Sequence, residues 1–304
     1  MERIKDLRKQ RYRLVGKHSA VKVCLWCKKA IRGEDVCYKN TFYGIDSWKC
    51  IQASVSLDKC NLKCQWCWRD ININYTKELS DEPKEILDGL IREHIKGIEG
   101  FKGNNQVDMK RFREAQKPKH IALSLSGDAC LYPRLAELIN EIHKRGMTSF
   151  VVTNGCFPEM LKKINPTQLY ITLPAPDFET FKECCKGTKK DWENIMKSLD
   201  LLEKHERGTV RLTLAKGMNM KNAGGYASIL RNVKFKFLEI KAAMAVGYAR
   251  YRMDYKQMPL HTEIREFAEK IAELNNLKII DEKKNSRVVL LMHEDFNGRK
   301  LILQ

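Results

Sequence analysis

A chain of 304 residues, 43% hydrophobic and 31% charged, can bury a sizeable core, which excludes a disordered or fibrous protein. No apolar run approaches the ~20 residues needed to span a bilayer, and the charged start has no apolar stretch behind it, so no membrane segment or secretory signal is expected and a cytoplasmic location is. The 56 Lys and Arg against 38 Asp and Glu leave a net charge of +18, which favours a polyanionic partner, although a solvated basic surface gives the same count.

Residues 1–48 are basic and rich in cysteine and aromatics, with no long amphipathic pattern and no strongly amphipathic terminal helix. They read as an N-terminal extension held together by its own ligands. From residue 49 to 304 the pattern changes. Apolar runs at 51–57, 120–126, 149–153, 168–173, 209–215 and 236–241 alternate with helix-like stretches at 134–145, 157–164, 189–205 and 225–231. This alternation predicts repeated βαβ units, hence a parallel sheet covered by helices. Gly127, Gly155 and Gly217 follow strand ends, where such sheets place their sites.

The stretch from about 70 to 118 interrupts the alternation as an insertion with one helix near 83–98. The helix expected at 107–119 carries Lys110, Arg111, Arg113, Lys117 and Lys119, either a grip on phosphates or a solvated face. Two strand-like runs, 278–280 and 287–292, close the chain as a C-terminal extension that can lengthen the sheet edge.

Eleven cysteines in a reducing compartment point to metal or catalysis rather than disulfides. Cys60, Cys64 and Cys67 stand at C-x3-C-x2-C on a loop after a strand, a spacing that wraps three corners of a cubane iron–sulfur cluster and leaves one iron open. Zinc is the competing reading, since C-x2-C is also a zinc hook. Upstream, Cys24, Cys37 and Cys50 supply three more thiols, and Cys27 completes a second C-x2-C with Cys24. Spacing leaves open a second cluster with one free iron, a fully ligated cluster and a closed zinc site. Cys130, Cys156, Cys184 and Cys185 read as buried small hydrophobes. Trp66 and Trp68 beside the loop either stack on a base or shield the metal.

The three-cysteine loop resembles that of the radical S-adenosylmethionine (SAM) superfamily, which implies SAM chelated at the open iron and cleaved to a 5′-deoxyadenosyl radical. A longer series of segments, in order, resembles the archaeal-type tRNA 4-demethylwyosine synthases: HSAVKVC (18–24), VCYKNTFYGI (36–45), KCIQ (49–52), CWRD (67–70), PKHIALSLSG (118–127), FVVTNG (150–155), PTQLYITL (166–173), RLTLAKGMN (211–219), FLEIKA (237–242) and VGY (246–248). The resemblance implies an α/β fold, a partial (β/α)6 TIM-like radical SAM barrel with a cysteine-rich N-terminal extension. It also implies two 4Fe-4S clusters, the first on Cys60, Cys64 and Cys67 and the second on Cys24, Cys37 and Cys50.

The activity implied is a lyase-class condensation of pyruvate with 1-methylguanosine beside the anticodon of phenylalanine tRNA. Lys39 falls on the lysine that holds pyruvate as a Schiff base, and Asp128, Asn154, Thr172 and Arg211 fall near SAM. The partners are the anticodon stem-loop, pyruvate and an external donor of flavodoxin or ferredoxin type. Two segments depart from the family. Its Gly-Glu-Pro reads Gly127-Asp128-Ala129, one methylene shorter at the acid, and its Ser-x-Asp-Ala reads Thr172-Leu173-Pro174-Ala175. Two other readings therefore stay open: a radical SAM paralogue using another RNA base or carbon donor, and a non-catalytic, zinc-stabilised RNA-binding protein.

Overall fold

The computed structural model describes residues 2–73 and 78–301. Its contacts divide into two units, each built on its own strands and helices. The first comprises Met1–Lys59, Tyr75–Val151 and Ile164–Thr167, and the second Cys60–Asn74, Val152–Lys163 and Gln168–Gln304.

In the first unit a hairpin of β1 (Arg13–Val15) and β2 (Ser19–Val21) lies antiparallel on the edge of β3 (Cys50–Ser54). β4 (His120–Leu123) and β5 (Thr148–Thr153) continue from β3 in parallel, with Cys50 opposite His120 and His120 opposite Thr148. The segment before residue 49, expected without long helices, forms three short ones: α1 (Glu2–Lys9), α2 (Leu25–Ile31) and α3 (Tyr38–Tyr43). They are too short for an amphipathic repeat to show in sequence, and packing stabilises them instead. The insertion supplies α4 (Pro83–Ile98) and α5 (Met109–Ala115), the latter capped by the Asp108 carboxylate accepting from the Lys110 and Arg111 amides. Val23, Cys27 and Ile31 pack with Ile98, Phe112 and Ala115, so the cysteine-rich segment and the insertion share one core. α6 (Leu135–Lys144) buries Leu135, Leu138, Ile139 and Ile142, the i, i+3, i+4, i+7 stripe of a surface helix. Each such side chain contributes about 2 kcal/mol by burial.

The second unit begins with the 60–67 loop and the turn after β5, followed by α7 (Pro158–Leu161). Its sheet runs β6 (Gln168–Thr172), β7 (Gly208–Leu214) and β8 (Phe237–Ala242) in parallel. Between them come α8 (Phe178–Cys185), α9 (Lys189–Asp200) and α10 (Ala223–Leu230). A reciprocal capping box, Thr188 with Asp191, fixes the start of α9. After α11 (His261–Asn275), β9 (Lys278–Lys283) and β10 (Val288–Met292) form an antiparallel hairpin that joins the edge through β10 on β8. Gly127, Gly155 and Gly217 all have positive φ, between 70° and 81°, as the strand ends require.

One buried group gives the fold a pH dependence. His94 on α4 is fully buried with neither ring nitrogen hydrogen-bonded, and desolvation pushes its pKa down to about 4. An unfolded histidine titrates near ~6.5, so between these values the unfolded chain binds more protons and stability falls as pH falls. Acidification from pH 7 to about pH 5 is expected to cost about 2 kcal/mol through this group. Urea midpoints at the two pH values measure it, and a His94→Leu variant is expected to lose less.

Candidate active site

The 60–67 loop is bound down from three sides within the second unit. The end of α8 receives it first: the Lys63 amide donates to the Cys185 carbonyl (2.8 Å) and the Gln65 amide to the Cys184 carbonyl (3.0 Å). Helix-end carbonyls lack intrahelical partners, so they are free to take these donors. Next, Arg252 donates to the carbonyls of Gln65 (3.3 Å), Cys67 and Arg69 (3.3 Å), and Arg69 donates to the Leu62 carbonyl (2.6 Å). On the third side, Asn154, beyond the end of β5, donates to Cys60 Sγ (3.6 Å) and Asn61 Oδ1 (2.8 Å), and Asn61 donates to Asp191 (2.8 Å).

These contacts set the electrostatics of the thiols. The Cys185 thiol donates to the Cys64 sulfur, and with Arg69 and Arg252 nearby the Cys64 thiol is held below its ordinary range despite burial. Burial and the neighbouring Cys64 push the Cys67 thiol up, opposed by Arg69 and Arg252 and by the Arg69 amide hydrogen bond. Among the described residues no three His, Cys, Asp or Glu side chains are gathered so as to hold a metal ion. A cubane spreads its thiolates over separate irons, and sulfurs served by N–H donors and guanidinium charge suit its anionic sulfur set. The donor set therefore fits such a cluster. Cys184, Cys185 and Arg252 were not among the expected site residues. The cysteine pair read as core, and an arginine about 185 residues from its carbonyl partners leaves no local signal.

The remaining residues expected near SAM are placed as follows. Thr172 and Arg211 stand opposite each other on β6 and β7. Arg211 donates twice to the buried Glu239 carboxylate (3.0 and 2.7 Å) and lies over the Tyr170 ring at 4.3 Å. Glu239 is 0% exposed, so removing the Arg211 cation takes away two charge-assisted hydrogen bonds from a buried carboxylate. An Arg211→Ala variant is expected to lose about 3–5 kcal/mol in urea denaturation, and Arg211→Lys less. Pro174, in place of the family's acid, presents its carbonyl to Asn219 (2.8 Å).

Asp128 belongs to the first unit. Its carboxylate accepts from the Cys130 amide (3.0 Å), its carbonyl from the Ser56 hydroxyl (2.6 Å), and its amide donates to the Lys59 carbonyl (2.9 Å). It caps the turn Ala129–Leu131 and ties it to the segment entering the loop.

Cys24, Cys37, Cys50 and Lys39 also lie in the first unit, on or beside α2, α3 and β3. Burial pushes the Cys37 thiol up to about 12 and the Cys50 thiol up to about 11; each is raised further by Cys24 and lowered by the Lys39 ammonium. The three thiols and this lysine thus share one neighbourhood. Lys39 is 8% exposed, with Nζ 4.5 Å from the centroid of the Phe150 ring, buried rather than a solvated surface charge. Desolvation and the nearby Cys24 and Cys50 push the Cys27 thiol well up, and its sulfur donates to the Trp48 carbonyl (3.8 Å) within the apolar cluster of Val23, Ile31 and Ile98. A thiol so embedded is a poor thiolate ligand. On the ligand set that the resemblance implies, Cys27→Ala is expected to leave iron per chain unchanged and Cys37→Ala to lower it; iron assay after anaerobic reconstitution separates them.

A βαβ scaffold whose three-thiol loop is fastened by remote cations is the framework of a radical SAM protein, and the Radical SAM superfamily model matches residues 54–226. A second model, wyosine base formation, matches residues 234–293. The chain is 44% identical over 299 residues to the S-adenosyl-L-methionine-dependent tRNA 4-demethylwyosine synthase of Pyrococcus abyssi, covering 95% of this chain and 87% of that one. It is 40% identical to the synthase of Methanocaldococcus jannaschii, covering 96% of each. The chain belongs to the tRNA 4-demethylwyosine synthase family. A solved structure of TYW1 with a lysine–pyruvate adduct superposes with a TM-score of 0.91 at 39% identity, over 99% of this chain and 98% of the other. A crystal structure of archaeal TYW1 gives 0.84 at 36% identity, over 99% of each.

Proposed function

We propose that the protein condenses pyruvate with 1-methylguanosine beside the anticodon of phenylalanine tRNA to give 4-demethylwyosine. The fold is a partial (β/α)6 barrel whose N-terminal extension, 1–48, carries a second 4Fe-4S cluster. Cys60, Cys64 and Cys67 would hold the first cluster and Cys24, Cys37 and Cys50 the second, and within the second unit Asn154, Thr172 and Arg211 would serve the SAM site. When bound, cluster and SAM together supply the radical that takes hydrogen from the guanosine methyl group.

The chain's own residues do the rest. Lys39, as the neutral amine, attacks the pyruvate ketone and releases water, leaving a Schiff base that presents the carbon donor. Lys39 is buried, with Nζ 4.5 Å from the Phe150 ring centroid and near enough to Cys37 and Cys50 to lower both thiols. Arg69 and Arg252 hold the cluster loop, and Asn154 fixes the Cys60 end. Eleven free thiols suit a reducing, cytoplasmic compartment with a flavodoxin- or ferredoxin-type donor.

The observation that carries the reading is the buried Lys39 amine in the neighbourhood of Cys37 and Cys50. The test is anaerobic reconstitution with SAM, reductant, labelled pyruvate and methylated tRNA, followed by nucleoside mass spectrometry and by cyanoborohydride trapping. A tricyclic nucleoside with label reduced onto Lys39 is expected. SAM cleavage without that nucleoside points to another base or carbon donor, and label on other lysines alone overturns the role of Lys39.

A further inference from the structure

Beyond β8, residues 243–258 form a strap in which buried and exposed side chains alternate by size. Ala243, Ala245 and Met253 seat it in an apolar cluster with Ala215, joined by the partly buried Trp66, Met218 and Met258. Ala249 is buried as well. On the other side the strap displays Met244, Val246, Tyr251 and Tyr255, the two tyrosines each 69% exposed. Four large apolar or aromatic side chains within twelve residues are thus left accessible to a partner.

The strap is fastened to the cluster loop. The Tyr248 amide donates to the Trp68 carbonyl (2.9 Å). Gly247, at φ +58°, comes so close to that carbonyl that a Cβ would sit 2.6 Å from it. Arg252, within the strap, holds the Gln65, Cys67 and Arg69 carbonyls. Trp68 is itself 39% exposed, whereas Trp66 is spent on the seat. The two tryptophans of the motif thus divide the roles of display and shielding.

We infer that this strap, with Trp68, is a stacking platform for unpaired bases of the RNA, placed to hold nucleotides flanking the reacting one at a fixed offset from the cluster loop. The inference rests on the tRNA reading above and deepens it. Aromatic faces accept any base, and a guanidinium among them adds cation–π attraction and a phosphate contact. Arg250 supplies this: its guanidinium lies 5.0 Å from the Tyr251 ring centroid and donates to the Tyr251 hydroxyl (3.0 Å). Charge points to a polyanion, since besides Arg252, which is engaged with the loop, the strap carries Arg250 and Lys256 against one acid, Asp254, whose carboxylate caps the turn by accepting from the Lys256 amide. Tyr248 packs edge-on to Tyr251 at 5.9 Å, which limits the latter's freedom and lowers the ordering cost of stacking.

The test compares two RNAs at one salt concentration by fluorescence anisotropy: an anticodon stem-loop with methylated guanosine, and a blunt, fully paired duplex with the same number of nucleotides. Tyr251→Ala and Tyr255→Ala are each expected to weaken stem-loop binding about 10-fold and leave duplex binding unchanged. Tyr251→Phe, which keeps the ring, is expected to bind as wild type. Iron content and thermal midpoint control for folding. As a measurement on the unaltered chain, a photoreactive nucleotide in the loop is expected to crosslink within 244–258 or at Trp68. Wild-type affinity in the double tyrosine variant, equal losses for both RNAs, or crosslinks confined elsewhere overturn the platform. A wild-type protein that makes no tricyclic nucleoside overturns the proposed function instead, and the crosslink and affinity data still decide the platform.

Discussion

Cys64→Ala is expected to abolish reductive SAM cleavage and, on the two-cluster proposal above, to lower iron from about eight to about four per chain. The size of the effect follows from the loop's construction. Cys64 sits between the two amides that donate to the α8 carbonyls, which holds its backbone in place. It also receives the Cys185 hydrogen bond and faces Arg69 and Arg252, which favour its thiolate. The alanine that replaces it offers iron no donor atom. Iron and sulfide assay with 5′-deoxyadenosine detection measures both losses. Cys185→Ala removes only the hydrogen bond and is expected to keep the iron, with a more negative reduction potential for the first cluster. Full SAM cleavage by the Cys64 variant would remove this loop from the chemistry altogether.

Gly127→Ala is expected to cost about 4 kcal/mol or more, which places it among the exceptional substitutions. Two penalties add. The residue has φ +78°, where an alanine is strained, and its Cβ would overlap the Ser56 carbonyl oxygen and lie 2.7 Å from the Lys59 carbonyl. Both neighbours are backbone atoms and cannot swing aside. They are also engaged, since the Lys59 carbonyl accepts from the Asp128 amide and the Ser56 carbonyl from the Lys59 amide. Relief would therefore move the segment that leads into Cys60. Gly33 is the control: at φ +71° it has the same backbone strain, but a Cβ there would meet nothing within 4 Å. Gly33→Ala is expected to cost about 1 kcal/mol. Urea denaturation of both variants separates steric overlap from conformational strain.

Much of this was legible in the chain alone. The six runs expected as strands from residue 49 onward are β3 to β8, each within a few residues, because apolar β-branched runs between amphipathic stretches admit few alternatives. The helix expected at 83–98 is α4 to the residue. That at 189–205 ends as an α-helix at Asp200 and continues as a 3-10 turn, a change of hydrogen bonding that side-chain period does not register. α8 was not expected. Nor was α11, although Ile264, Phe267, Ala268, Ile271 and Ala272 recur at helical spacing.

Chemistry that depends on near neighbours is written in the chain: the C-x3-C-x2-C loop, the glycines at strand ends, and the basic excess that points to nucleic acid. Chemistry that depends on distant partners emerges only on folding. Cys184 and Cys185 look like core in sequence, yet their carbonyls anchor the cluster loop. Arg252 looks like one basic residue among 56, yet it gathers three carbonyls of that loop. Trp66 and Trp68 are alike in sequence, and packing alone assigns one to the core and the other to the surface. One cause underlies all three. Spacing along a chain fixes which groups local geometry can bring together, but hydrogen bonds to backbone carbonyls carry no residue-type signature. Their donors are therefore identified only once the chain is folded.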